Sequence, residues 1–316
     1  MKRYTSFAAL FLATMASAPL ALADGDSQSL PPARVSPWAD GREADYRKES
    51  DYGKETPILL MEEPAKAEAP KEPAGGGDSD LAKKLSNPIA NLISIPFQFN
   101  YDKGYGPKDA GILRLNIQPV IPITLNEDWN LITRTIVPLI YQESLADGVN
   151  SQFGMGDIIQ SFFFSPKQPI NGWIWGVGPV FNWPTATDDQ LGSGMWGVGP
   201  TAVLLKQESG WTYGILANHL WSFAGPTGRN EINATFLQPF LSYTFPSATT
   251  LTLNTESTYD WTSSQWTVPI NLSVSQLVRM GKLPVQFAIG GRWYAESPDG
   301  GPEWGVRFTM TILLPK

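Results

Sequence analysis

The chain has no cysteine and only one histidine in 316 residues. The first absence excludes a disulfide scaffold, cysteine-ligated zinc and a thiol nucleophile. The second leaves His219 as the only imidazole available for proton transfer or metal ligation. Its neighbours are Asn218, Leu220, Trp221 and Ser222; in a strand, a serine three positions away points to the opposite face and cannot share its proton. No catalytic residue, metal or other cofactor is assigned on this basis. Long apolar runs are also missing: beyond the N-terminus nothing approaches the roughly 20 residues of a helical span, so any membrane crossing is by strands. Basic charge is in deficit, with 23 Lys and Arg against 30 Asp and Glu and a net charge of -7. Nucleic acid, which needs a basic face, is excluded as a partner.

What is plentiful is turn formers and aromatics: 29 Gly, 27 Pro, 15 Phe and 12 Trp. The last long stretch sets the pattern. Trp304, Val306, Phe308, Met310, Ile312 and Leu314 alternate with Gly305, Arg307, Thr309 and Thr311, a period of two that makes a strand with one oily and one wet face. Similar segments are expected at 92–101, 112–123, 129–141, 156–165, 172–183, 195–206, 211–222, 233–245, 250–261, 265–277, 283–295 and 303–314. Twelve is an even number, as a single-chain barrel with both ends in the periplasm requires. Most connections alternate short and long, from Asn126-Glu127-Asp128 to Gln142–Met155, the pattern of inner turns and outer loops. Trp129, Trp173 and Trp211 fall at one set of strand ends; Trp183, Trp196, Trp221, Trp261, Trp266, Trp293 and Trp304 fall at the other, as two interfacial belts would. The fold class is therefore all-β, a transmembrane antiparallel up-and-down β-barrel of about 12 strands behind a disordered N-terminal arm.

The N-terminal quarter differs. Residues 1–23 read as a signal peptide, with Lys2 and Arg3 before the apolar run Phe7–Met15 and Ala21-Leu22-Ala23 as the cleavage site. Residues 24–84 form an acidic Pro/Ala/Glu/Lys-rich segment too poor in apolar surface to offset its ordering entropy, and are expected to be a flexible periplasmic arm. Within it, Asp80–Leu85 is the one candidate helix. Residues 85–316 are the barrel.

If the oily set meets lipid, the interleaved set lines the bore. Leu113, Leu251, Val285, Phe287 and Ile289 face out, while Arg114, Arg134, Glu256, Asp260, Arg292 and Arg307 face in; an Arg at mid-depth on the lipid side would cost about 2–4 kcal/mol. Closing the sheet gathers the four arginines on one wall with Glu256 and Asp260 opposite. Such a field would select small anionic or dipolar solutes, or the charges would pair and hold the bore shut. A glycosidase-like use of Glu256 and Asp260 is the weaker reading, because a solvated pair is the commoner arrangement.

The segment Leu85-Ser86-Asn87-Pro88-Ile89-Ala90-Asn91-Leu92-Ile93-Ser94-Ile95-Pro96-Phe97-Gln98 resembles the start of the bacterial outer-membrane family described as the MetA-pathway of phenol degradation, whose members are often labelled transporters or neuromedin U. The resemblance runs from about Leu81 to Lys316 and includes Trp175-Gly176-Val177-Gly178-Pro179 and Trp196-Gly197-Val198-Gly199-Pro200. It implies a Gram-negative outer-membrane barrel passing small compounds, aromatic ones among them, and supplies no catalytic residues. The expected partners are outer-membrane lipid, a small-molecule solute and the barrel-assembly machinery. The competing expectations are a non-conducting barrel that anchors the arm and, more remotely, a lipid hydrolase on the outer face.

Overall fold

The computed structural model describes residues 77–314. The signal peptide at 1–23, the arm as far as residue 76 with Trp38, Tyr46 and Tyr52, and Pro315 lie outside the described residues. The strands are β1 (Ile93–Tyr105), β2 (Ala110–Ile117, resumed at Val120–Thr124), β3 (Trp129–Gln142), β4 (Gln152–Met155, resumed at Ile158–Pro166), β5 (Trp173–Trp183) and β6 (Trp196–Glu208). They continue as β7 (Trp211–Ala224), β8 (Asn233–Thr244), β9 (Thr249–Thr255, resumed at Ser257–Asp260), β10 (Gln265–Met280), β11 (Leu283–Glu296) and β12 (Trp304–Leu314).

Each strand pairs antiparallel with its chain neighbours, and β12 returns to β1 with Ile93 opposite Leu314 and Lys103 opposite Trp304. The result is a closed barrel of twelve antiparallel strands. The turn after β2 shows how sequence fixes a connection: Asn126 Oδ1 accepts from the amides of Asp128 (2.9 Å) and Trp129 (2.8 Å), the local bond that makes Asn a turn residue.

Three strands are interrupted. In β2 the break falls at Gln118-Pro119 and in β9 at Glu256. Proline carries no amide hydrogen for the ladder, and on the strands flanking β9 stand Pro239 and Pro269, where the β10–β11 register also shifts. In β4 the break is at Gly156-Asp157. Three strands run at least three residues beyond their expected limits: β1 reaches Tyr105 rather than 101, β4 begins at Gln152 rather than 156, and β10 continues to Met280 rather than 277. Hydrogen bonding holds each extension, as where Lys103 pairs with Gly111 and Gln142 with Gln152.

The outer wall is apolar. Leu113, Leu204, Leu251, Leu272, Ile289 and Val306 are exposed on it, and an apolar surface of this extent needs lipid to cover it. Trp173 and Trp211 are exposed at the turn end, and Trp196, Trp221, Trp261, Trp266, Trp293 and Trp304 at the loop end. Val285, expected among the exposed residues, is buried. The glycines of the repeated Trp-Gly-Val-Gly-Pro segments permit close strand approach: a Cβ at Gly178 or Gly199 would collide with the carbonyl oxygen of Phe162 or His219.

The interior departs from a wholly polar lining. At the turn end of β2–β8, inward-facing Val120, Ile132, Phe163, Val203, Leu205, Leu216 and Phe240 form a core closed around Ile89, which is 3% exposed. A short helix, α1 (Asp78–Leu85), lies beside it, with Ala82 packed on Ala248, Leu277 and Leu313. Residues 77–84, assigned above to the flexible arm, are thus docked on the barrel, because Leu81, Ala82 and Leu85 give them an apolar face. Asp78 and Asp80 in the first turn and Lys83 and Lys84 in the last suit the helix dipole. The helix begins at Asp78 rather than at the expected Asp80, with Gly77 in the N-cap position. Arg279 Nε and Asp78 Oδ1 (2.7 Å) and Gln207 Nε2 and Lys83 O (2.7 Å) fasten α1 to the strand ends.

Candidate selectivity site in the bore

Halfway along the bore, β1, β2, β9, β11 and β12 bring five charged side chains into one layer. Period-two alternation turns Asn100, Asp102, Arg114, Arg292 and Arg307 inward, and the interrupted ladder of β9 directs Glu256 toward them. Arg307 holds Glu256 with both ends of its guanidinium, Nη1 to Oε1 at 2.9 Å and Nη2 to Oε2 at 2.7 Å, while its Nε donates to Asn100 Oδ1 at 2.6 Å. Arg292 Nη1 reaches the same Asn100 oxygen at 3.0 Å and Asp102 Oδ2 at 3.5 Å, and its Nη2 lies 3.7 Å from Glu256 Oε2. Arg114 Nη1 is 3.8 Å from Asp102 Oδ2. Arg292 also sits over the ring of Tyr294, 5.5 Å from its centre. Asp102 and Asn100 are 0% and 1% exposed.

Arg134, the fourth predicted arginine, lies one step toward the turn end. Its Nη2 donates to Gln118 Oε1 at 2.9 Å. Asp260 is not in the layer: its Oδ1 accepts from the amides of Thr262 (2.8 Å) and Ser263 (3.4 Å), which fixes the β9–β10 turn, and it lines a cavity of about 580 Å³ at the loop end. The expected opposition of Arg wall to Glu256 and Asp260 is therefore a Glu256 interaction alone. Asp260 lies one turn-length beyond, where the local amides claim it.

Asn100 and Asp102 stand outside the expected charged set: Asn100 carries no charge, and Asp102 lies beyond the expected end of β1 at Tyr101. The usable signal was the alternation Gln98, Asn100, Asp102, which continues unbroken past Tyr101. Gly305, opposite Asp102 in the ladder, is required here: a Cβ would collide with Asp102 Oδ1.

The charged layer separates two spaces. On the loop side a cavity of about 400 Å³ is lined by Arg114, Glu256, Arg292, Tyr105 and Tyr294. On the turn side a cavity of about 260 Å³ runs between the Leu85–Leu92 segment and the polar wall, with Arg134 and Arg307 at its inner end. Beyond the loop-side cavity, the connection after β5 folds inward. Asp157 Oδ2 accepts from Ser193 N (2.7 Å) and Ser193 Oγ (2.6 Å), and its Oδ1 accepts from Ala186 N (3.2 Å). Leu191 then meets Ile112 and Ile140 inside the wall, and Arg229 clamps the loop through the carbonyls of Ser193, Asp189 and Gly192.

His219 lies elsewhere, near the loop end of β7. Its Nδ1 is 2.7 Å from Thr235 Oγ1, and its ring centre lies 4.1 Å from that of Trp221 with the two planes tilted by 47°. Ser222 bonds with Ile232 instead. Among the described residues no group of three or more His, Cys, Asp or Glu is arranged to hold a metal ion.

The barrel fold has likenesses among solved outer-membrane proteins. The crystal structure of the COG4313 outer membrane channel from Pseudomonas putida F1 superposes with a TM-score of 0.56 at 13% identity, over 71% of this chain and 96% of that one. Outer membrane phospholipase A from Escherichia coli gives 0.41 at 12% identity over 76% and 98%. A FadL homologue from Pseudomonas aeruginosa gives 0.36 at 10% over 73% and 93%. The first of these establishes the likeness of fold. No protein-family model matches the sequence, and no curated protein matches it.

Proposed function

We propose that the chain is an outer-membrane channel for passive passage of small solutes, shut in this conformation by residues 77–92 at the turn end and by the paired charges at mid-bore. The observation that carries the reading is the layer itself: three arginines and two carboxylates, with Arg134 one step toward the turn end, inside a lipid-facing barrel at a depth where unpaired charge is costly. Charged rings of this kind set ion preference in pores. The likeness of fold to an outer membrane channel supports the same reading. The resemblance of Leu85–Gln98 to the phenol-degradation family extends it to aromatic solutes, and the export signal and outer-membrane location belong to the same proposal. No catalysis is assigned to the chain.

The test is single-channel recording of the full chain refolded into a planar bilayer, beside an Ala82→Arg/Ile89→Asp variant that undocks the inner segment. Rare openings that become frequent in the variant support the channel. A silent bilayer in both, with heat-modifiable migration showing folded barrels, overturns it. That outcome favours the second reading, a barrel anchoring the arm for a periplasmic partner, for which the filled turn end speaks.

A further inference from the structure

We propose that Arg134 is the anchor of a binding site for a small organic anion, a carboxylate on a compact apolar body, in the turn-side cavity. This deepens the channel reading and rests on it. The argument begins with charge. Two arginines, Arg134 and Arg307, line the cavity, and no Asp or Glu does. Arg307 is matched by Glu256 at 2.7 Å, and Glu256 also faces Arg292. Among the described residues Arg134 has no carboxylate within 4.0 Å: Glu256 acts on it only from longer range while bonded to Arg307, and its one hydrogen bond is to the neutral amide of Gln118. Arg114, Arg134, Arg292 and Arg307 outnumber Asp102 and Glu256, so the mid-bore carries two positive charges more than it balances.

A guanidinium inside a low-dielectric wall is costly unless a counter-charge meets it. Its planar fork of donors fits a carboxylate with two parallel bonds. The remaining lining sets the rest of the ligand. Gln98, Gln118, Ser242, Thr252 and Ser273 offer neutral donors and acceptors on the strand walls, and Leu85, Pro88, Val120 and Phe240 add apolar surface among them. The volume of about 260 Å³ is under the roughly 300–1,000 Å³ of drug-sized sites. The occupant is therefore small and amphiphilic, with its charge on Arg134 and its body against Phe240 and Pro88. Inorganic anions satisfy only the first of these.

The site is tested by calorimetric titration of the refolded full chain with cyclohexanecarboxylate and with cyclohexanecarboxamide, the neutral isostere, on wild type, Arg134→Gln and Arg134→Lys. The expected result is binding of the carboxylate that weakens at least about tenfold in Arg134→Gln and less in Arg134→Lys, with the amide at least about tenfold weaker on wild type. Absence of carboxylate binding to a barrel shown folded by heat-modifiable migration overturns the proposal. So does equal binding of the amide, or a carboxylate affinity unchanged in Arg134→Gln. Because no current is read, failure here leaves the conductance test of the channel intact, and a silent bilayer does not alter the titration.

Discussion

Arg307 on β12 and Glu256 on β9 clasp each other across the bore with two parallel bonds of 2.9 and 2.7 Å. They come from strands that are not neighbours, so the contact spans the interior. Removing one partner leaves the other charge buried and alone. Glu256→Gln is expected to lower barrel stability by about 3–5 kcal/mol in urea unfolding, and replacing both residues by Met to cost clearly less. Equal losses in the single and double variants would refute this.

Asp102 sits against Arg292 at 3.5 Å and Arg114 at 3.8 Å. Asp102→Asn removes a negative charge from a layer already in positive surplus, so the expected change has a definite sign. Reversal potentials in a potassium chloride gradient should move further toward anion preference, and Arg114→Ala should move them back.

The outer wall predicts differently at different depths. Ile289, mid-strand on β11 and 64% exposed, faces the middle of the bilayer. Ile289→Arg should cost about 2–4 kcal/mol on refolding into lipid, and Trp293→Arg, nearer the loop rim, about 0–1 kcal/mol. The same stability assay reads both.

Asp157 holds the inward loop through Ser193 and Ala186. Asp157→Ala should leave the strand ladders in place while the amides of Ser193 and Ala186 lose their acceptor. Hydrogen exchange at those two amides should accelerate at least about tenfold, with β7 and β8 unchanged.

Much of the wall was legible because lipid imposes one rule on every strand: alternate residues must be apolar. The last strand declared it, with Val306, Phe308 and Met310 on one side and Arg307, Thr309 and Thr311 on the other. The inward charges followed from the cost of placing Arg in lipid. The interior was less legible, because nothing obliges an inward residue to be polar once another segment fills the bore. Phe162-Phe163-Phe164 is apolar on both faces, and that loss of alternation marks where Phe163 turns in to meet Ile89. Asp260 was misplaced for a related reason. Alternation gives a side chain's face but not its height, and Asp260 stands high enough for the turn amides to take it. The docking of α1 was hidden by composition: acidic and basic residues surround Leu81, Ala82 and Leu85, and only the partner surface makes that small apolar face sufficient.

The pairing of Ile93 with Leu314 also orders events in time. Eleven of the ladders join strands that follow one another, and each can zip outward from its own connection. The twelfth joins the first strand to the last and waits for all the others, carrying the largest loop-closure cost. Until it forms, two strand edges stand open, each a template for a strand from another copy. Closure of the Lys103-Trp304 to Ile93-Leu314 ladder is thus the expected last step of folding, and the open sheet before it the form expected to be most exposed to aggregation.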